Sequence, residues 1–460
     1  MDSFAYRGGV LHAEEVAARD LADRFGTPLF VYSRATLEGH YDRLAAAFAE
    51  LRPLICYSIK SCPNIHVCRV LVERGSGMDV VSGGELERAW LAGCPMERVV
   101  YAGVGKTEPE IRAAMDGRWS LLKAGRDGET ERRRYAGHEP AATRGPIALF
   151  NIESEPEFEV VARIAKELGV VAHGALRINP DVDPHTHAYT STGKKETKFG
   201  VDLARAVKFF ERNGRDEWLR LDALHLHIGS PVYETGPYVE AIGKTLALID
   251  DLERRGFPIR TLDVGGGFAA DYETERSPRA TDYAAAIVPL LRDRVARGLK
   301  IILEPGRQIS ANAGVLLARV QYVKEGGDGK RFIITDAGMH TLIRPALYGS
   351  FHFIWPAEVA PGLVPARRVE TPDLPGLVPC DVVGPICESA DFLAKGRMLP
   401  PVSRGHVLAV FGAGAYGMSM ASRYNSHPLP AEVLVSGRDA RVVRRRESVA
   451  DLLWHETAEG

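Results

Sequence analysis

Long apolar runs are missing from this 460-residue chain, and no stretch approaches the length that spans a bilayer. An excess of one charge is missing too: Lys and Arg total 58 against 60 Asp and Glu, a net charge of -2 without any long basic or acidic block. Neither nucleic acid nor an anionic membrane is then an expected partner. Cysteine is scarce. The six present (Cys56, Cys62, Cys68, Cys94, Cys380 and Cys387) have neither zinc-finger spacing nor the density of a secreted scaffold, and no metal is expected. The opening Met1-Asp-Ser-Phe-Ala-Tyr-Arg lacks the charged-then-apolar pattern of a signal peptide. A reduced, cytoplasmic enzyme is the expectation.

What the chain does have is rhythm. Strand-length apolar runs recur near 54–59, 78–82, 98–103, 147–153, 172–178, 221–228, 260–264 and 299–304. They are rich in Val, Ile and Leu without clean alternation, as strands buried on both faces read. Amphipathic helical stretches separate most of them, such as 85–92, 157–168 and 238–254, and a helix over 37–51 leads in. Eight such alternations favour a closed α/β barrel, a TIM-like (β/α)8 fold, over an open sheet. Between 122 and 146 the chain turns polar and basic, which reads as a solvated excursion. After Arg307 the texture changes to short β-rich runs between Pro/Gly turns, predicting an all-β barrel or sandwich. The expected domains are the barrel over 36–308 and the β domain over 309–460, with residues 1–35 packing with the latter.

Several predicted strands end in residues able to do chemistry. Lys60 ends the first; a lysine there is commonly a solvated loop charge, but an apolar setting also suits a Schiff-base lysine. His225 and His227 end the sixth. His225 reads as a satisfied core residue, whereas His227 is placed to stack on a flat ring, with Gly229 and Ser230 leaving room and a donor for an anion. Gly265, Gly266 and Gly267 follow the seventh; they are either turn punctuation or a backbone cradle for phosphate, which barrels commonly hold after strands seven and eight. Glu304, ahead of Pro305-Gly306-Arg307, ends the eighth. An acid there is costly unless paired, and the ring nitrogen of pyridoxal phosphate would pair it. In the β region, Cys387 and Glu388 share a turn-like stretch with Asp391, and Tyr416 sits in a glycine-rich loop. A free cysteine is more often a small buried hydrophobe than a catalyst.

Taken in order, these segments and others (Tyr57-Ser-Ile-Lys60, Asp79 to Leu86, Arg177-Ile-Asn-Pro180, Thr190 to Gly193, Lys198-Phe-Gly200, Arg344 to Tyr348, Cys387-Glu-Ser389, Ala415-Tyr-Gly417) resemble the fold-type III, alanine-racemase-like decarboxylases that use pyridoxal 5'-phosphate. Within that family the likeness is to the diaminopimelate decarboxylases, and it spans about residues 25–453. The resemblance implies that Lys60 holds the cofactor covalently, His227 stacks on its ring and Glu304 pairs with its nitrogen. It places Asp79, Arg177, Ser230, Gly265, Gly266, Gly267, Gly306, Arg307 and Tyr416 around the cofactor. Arg307, Arg344, Tyr348, Glu388 and Tyr416 are implied to bind substrate, with Cys387 as the proton-donating acid. It further implies a homodimer with shared active sites, the Cys387-Glu388 loop entering the partner's site.

The expected reaction is decarboxylation of meso-2,6-diaminopimelate to L-lysine, because Arg344 could clamp a distal carboxylate bidentately. The alternatives are carboxynorspermidine, arginine, ornithine or lysine as substrate, or a non-catalytic regulatory relative. Small departures from the family pattern (Ser61-Cys62-Pro63 after Lys60, and Pro231 after Ser230) remove no group the mechanism needs.

Overall fold

A computed structural model describes residues 2–116, 145–183, 198–327 and 329–457. The 122–146 excursion therefore lies almost wholly outside the described residues, as do Thr190-Ser-Thr-Gly193. The chain divides into two compact units, one of residues 41–269 and 278–306, the other of residues 1–40, 270–277 and 307–460.

The first unit is a closed parallel barrel. Its strands are Leu54–Ser58, Gly77–Val80, Val99–Tyr101, Leu149–Ile152, Ala172–Asn179, Leu219–Leu226, Thr261–Asp263 and Lys300–Leu303. Each pairs in parallel with the next, and the eighth pairs with the first. Cys56, Val100, Leu149, Ala175, Ala223 and Ile302, from six different strands, meet in one buried cluster. Such a layer of inward side chains makes the barrel interior a packed core rather than a pore. The helices have local causes. In Glu155–Leu168, Ser154 caps the first turn by accepting from Glu157 N, a proline occupies that turn, and Gly169 ends the helix at φ +66°. One face, including Phe158, Val161 and Ile164, is buried. Because all eight strands run the same way, their carboxyl ends share one rim.

The second unit is built on a nine-stranded sheet. Its long strand Gly314–Glu325 pairs antiparallel with Leu29–Ser33, with Arg331–Thr335 and with Val407–Val410. Leu29–Ser33 also runs parallel to Ala431–Ser436. The turn-rich texture of this region gives no sign of the terminal helix Val449–Thr457. Among the described residues no helix is long and apolar enough to cross a membrane.

Candidate active site

The rim of the barrel gathers most of the candidate residues. Lys60 lies in a short 3-10 turn, Ile59–Ser61, directly after the first strand. Its Nζ donates to Asp79 Oδ2 at 2.8 Å. Asp79 is fully buried in the second strand and also accepts from Ser58 Oγ. Burial, then the charge of Glu304, push the Asp79 carboxyl up, against the pull of Lys60. Gly306 packs on the lysine turn, where a Cβ would stand 2.9 Å from that of Ser58.

Glu304 is buried just beyond the eighth strand and accepts from Asn151 Nδ2 at 3.2 Å. His225 Nε2 stands 3.3 Å from Glu304 Oε2, an ion-pair distance without the angle of a hydrogen bond. Asp263 Oδ1 accepts from Gly265 N at 2.9 Å, while its Oδ2 has no hydrogen-bond partner. The ligand-type atoms of these three side chains lie within 4.8 Å of one another. Burial, then the Glu304 charge, push the Asp263 carboxyl well up. Burial would raise Glu304 as well, but His225 and Lys60 outweigh it and hold the carboxyl below its usual range. Glu304 thus keeps its negative charge. His225 corrects the sequence reading: it is buried, but neither ring nitrogen is satisfied, and it belongs to the Glu304 cluster.

His227 follows the sixth strand and accepts from Gly266 N at its Nδ1, 3.3 Å away. Burial, then Arg177 and Lys60, push its pKa well down, leaving a flat, neutral imidazole. The glycine loop has a steric reason. A Cβ at Gly265, Gly266 or Gly267 would run into the carbonyl of Leu226, Glu304 or Gly229 in turn, and Gly265 and Gly267 take φ of +71° and +97°. Ser230 closes the neighbouring loop at a cis bond to Pro231. Arg177, in the fifth strand, donates to Glu153 Oε1 at 2.8 Å and lies over the Phe199 ring.

The second unit holds the other candidates. Arg307 Nη1 and Arg344 Nη1 each donate to the Tyr272 hydroxyl at 2.9 Å. Arg307 also lies 4.6 Å over the Tyr416 ring, and Tyr416 adopts φ +55°. Arg344 opens the short helix Arg344–Tyr348 and reaches Ser350 Oγ at 3.1 Å. Burial alone would raise the Tyr272 phenol, yet Arg307 and Arg344 together bring it below its ordinary value. Tyr348 ends the same helix, partly exposed. Cys387 and Glu388 occupy an exposed loop, where Cys387 meets Asn425 and Glu388 accepts from the Tyr424 hydroxyl. Asp263, Asn151, Tyr272 and Asn425 were absent from the sequence-derived set. Asp263 alone carried a signal, as an acid ending a strand ahead of three glycines.

Beside this cluster His352 is fully buried, with Nδ1 2.9 Å from Phe411 O and its ring edge-on to Tyr272. Burial, then Arg344, push its pKa from 6.5 down to about 3. An unfolded histidine takes a proton near 6.5, while the folded one refuses it until about 3. Stability is therefore lost as pH falls through that window, by about 1.4 kcal/mol per pH unit. His352→Gln should flatten this acid limb by about one proton in urea midpoints followed against pH.

A lysine beside a buried acid, a neutral flat imidazole, a glycine cradle without room for any Cβ, and a buried carboxylate kept charged all fit pyridoxal phosphate. On a parallel barrel they define a class: the pyridoxal-phosphate enzymes of the barrel type. Residues 34–311 match the family model for the pyridoxal binding domain of pyridoxal-dependent decarboxylases. Diaminopimelate decarboxylase of Aquifex aeolicus is 43% identical over 96% of this chain and 94% of that protein. The Haemophilus influenzae enzyme of the same name is 40% identical over 98% of each. A crystal structure of diaminopimelate decarboxylase from Helicobacter pylori, complexed with L-lysine, matches with a TM-score of 0.81 and 35% identity over 95% of this chain and 98% of that one. The chain belongs to the diaminopimelate decarboxylase family.

Proposed function

We infer that the chain decarboxylates meso-2,6-diaminopimelate to L-lysine and carbon dioxide, with pyridoxal phosphate as cofactor. One observation carries the choice of substrate. Arg344 is a buried guanidinium whose hydrogen bonds go to a phenol and a hydroxyl, with no carboxylate partner among the described residues. A buried charge without an opposite partner is costly, and a substrate carboxylate would supply one. Ornithine or lysine would bring a cationic tail to the same place.

Pyridoxal phosphate, when bound, supplies a protonated ring that takes up the electron pair left by departing carbon dioxide. The protein's part is to hold and to aim. Lys60 would tether the cofactor through its amine, which Asp79 orients. Glu304 stays ionised and would keep the ring nitrogen protonated. His227 would stack on the ring, its Nδ1 held as an acceptor by Gly266 N. Gly265, Gly266, Gly267, Ser230, Gly306 and Tyr416 would hold the phosphate, with Arg177 bracing the rim. Arg307, Arg344 and Tyr348 hold the distal carboxylate and Glu388 the distal amine. Cys387 returns a proton to the carbon that lost carbon dioxide. We place Cys387 and Glu388 in the site of a second copy, so the working form is a homodimer, in the cytoplasm.

Purified enzyme with pyridoxal phosphate should release lysine and carbon dioxide from meso-diaminopimelate but not from ornithine. Arg344→Ala should lower kcat/KM for diaminopimelate by roughly 30-fold or more, the worth of a charged hydrogen-bonded contact of about 2 kcal/mol. Near-intact activity in that variant would sink the distal-clamp assignment.

A further inference from the structure

Cys387 is the exposed cysteine of the six; the other five are buried. Its loop joins the strands Val378–Val383 and Phe392–Leu399 and is held at its base by Asp391. The two carboxylate oxygens of Asp391 accept from Met339 N and Ile386 N, each at 2.6 Å. Gly338 and Gly384 give that carboxylate its room; a Cβ on Gly384 would meet Asp391 Oδ2 at 2.6 Å. The tip is held by Asn425. Cys387 N donates to Asn425 Oδ1 at 3.2 Å, and Cys387 Sγ lies 3.2 Å from the same oxygen. Asn425 takes φ +51°, a left-handed conformation that asparagine accepts more readily than most residues.

The amide orientation has a chemical consequence. A backbone N–H can only donate, so Asn425 must present its oxygen to Cys387 N and not its NH2. The sulfur meets that same oxygen. A thiol can donate to it, whereas a thiolate would face its lone pairs. From this geometry we propose that Asn425 is a positioning residue that keeps the proton on Cys387 sulfur between turnovers. The inference rests on reading Cys387 as the proton donor, and deepens it. In that step the S–H bond breaks and a C–H bond forms at the carbon that lost carbon dioxide. The sulfur keeps the bonding pair, and water restores its proton.

The test uses the holoenzyme with pyridoxal phosphate and no substrate. Because the thiolate is the nucleophile, the rate of alkylation of Cys387 by iodoacetamide at one near-neutral pH, read by peptide mass spectrometry, reports how firmly the proton is held. Asn425→Gly removes the amide and suits the positive φ; it should speed alkylation about five-fold, the worth of one typical hydrogen bond. Asn425→Asp keeps an acceptor and adds negative charge; it should slow alkylation by roughly three-fold or more. A purely structural asparagine would loosen the loop in both variants. Faster alkylation in both, or no change in Asn425→Gly, overturns the proposal. Ultraviolet thiolate absorbance, taken as the difference from Cys387→Ser, gives the same comparison without dependence on reagent access. Unchanged lysine release by Cys387→Ser would remove Cys387 as the proton donor, and the alkylation rates would still decide what Asn425 does.

Discussion

Lys60→Ala should all but abolish lysine release from meso-diaminopimelate, and borohydride should no longer fix pyridoxal phosphate to the chain. The turnover lost should be at the upper end of, or beyond, the roughly 10²–10⁴-fold that one positioned proton-transfer group supplies, since covalent tethering goes as well. Lys60 reaches Asp79 through a short turn packed under Gly306, so the amine is placed by backbone and not by a loose tip. Its side chain is about one-third exposed (34%), so removing it leaves no core cavity. Folding stability in urea melts should fall only modestly, by the loss of the donor to buried Asp79. A large loss of stability together with activity would mean that Lys60 acts as a structural counter-ion.

Glu304→Gln should lower kcat by roughly 10²–10³-fold, the usual effect of removing one preorganised charge from a buried site. The substitution keeps shape and hydrogen-bonding capacity but not the charge that His225 and Lys60 stabilise. Loss of that charge also removes one of the influences that push the Asp263 carboxyl up, while burial, the larger one, remains. The midpoint of the Asp263 carboxyl infrared signal, followed against pH, should therefore shift down in the variant. Activity retained within a few-fold would show that the ring nitrogen needs no anionic partner here.

The barrel was legible because its strands announce themselves one at a time. Runs such as 299–304 are apolar throughout, and the paired strands in the structure fall inside or beside the expected windows. Residues that stand at strand ends, such as Lys60, His227 and Glu304, carry a local sign of their chemistry. Tyr272 and Asn425 carry none. Each matters through a partner far off in sequence, Tyr272 through Arg307 and Arg344, and Asn425 through Cys387. His225 was misread for a related reason: burial is visible in an apolar run, but whether a ring nitrogen finds a partner depends on Glu304, from another strand.

The membership of residues 270–277 in the second unit bears on how this chain can be cut. A fragment ending near residue 306 looks, on paper, like a complete barrel. It would still carry Ala270 and Tyr272 without the side chains they pack against, which come from after residue 306. Such a fragment should be expected to aggregate, and fusion partners or affinity tags belong at the chain ends instead of at that junction.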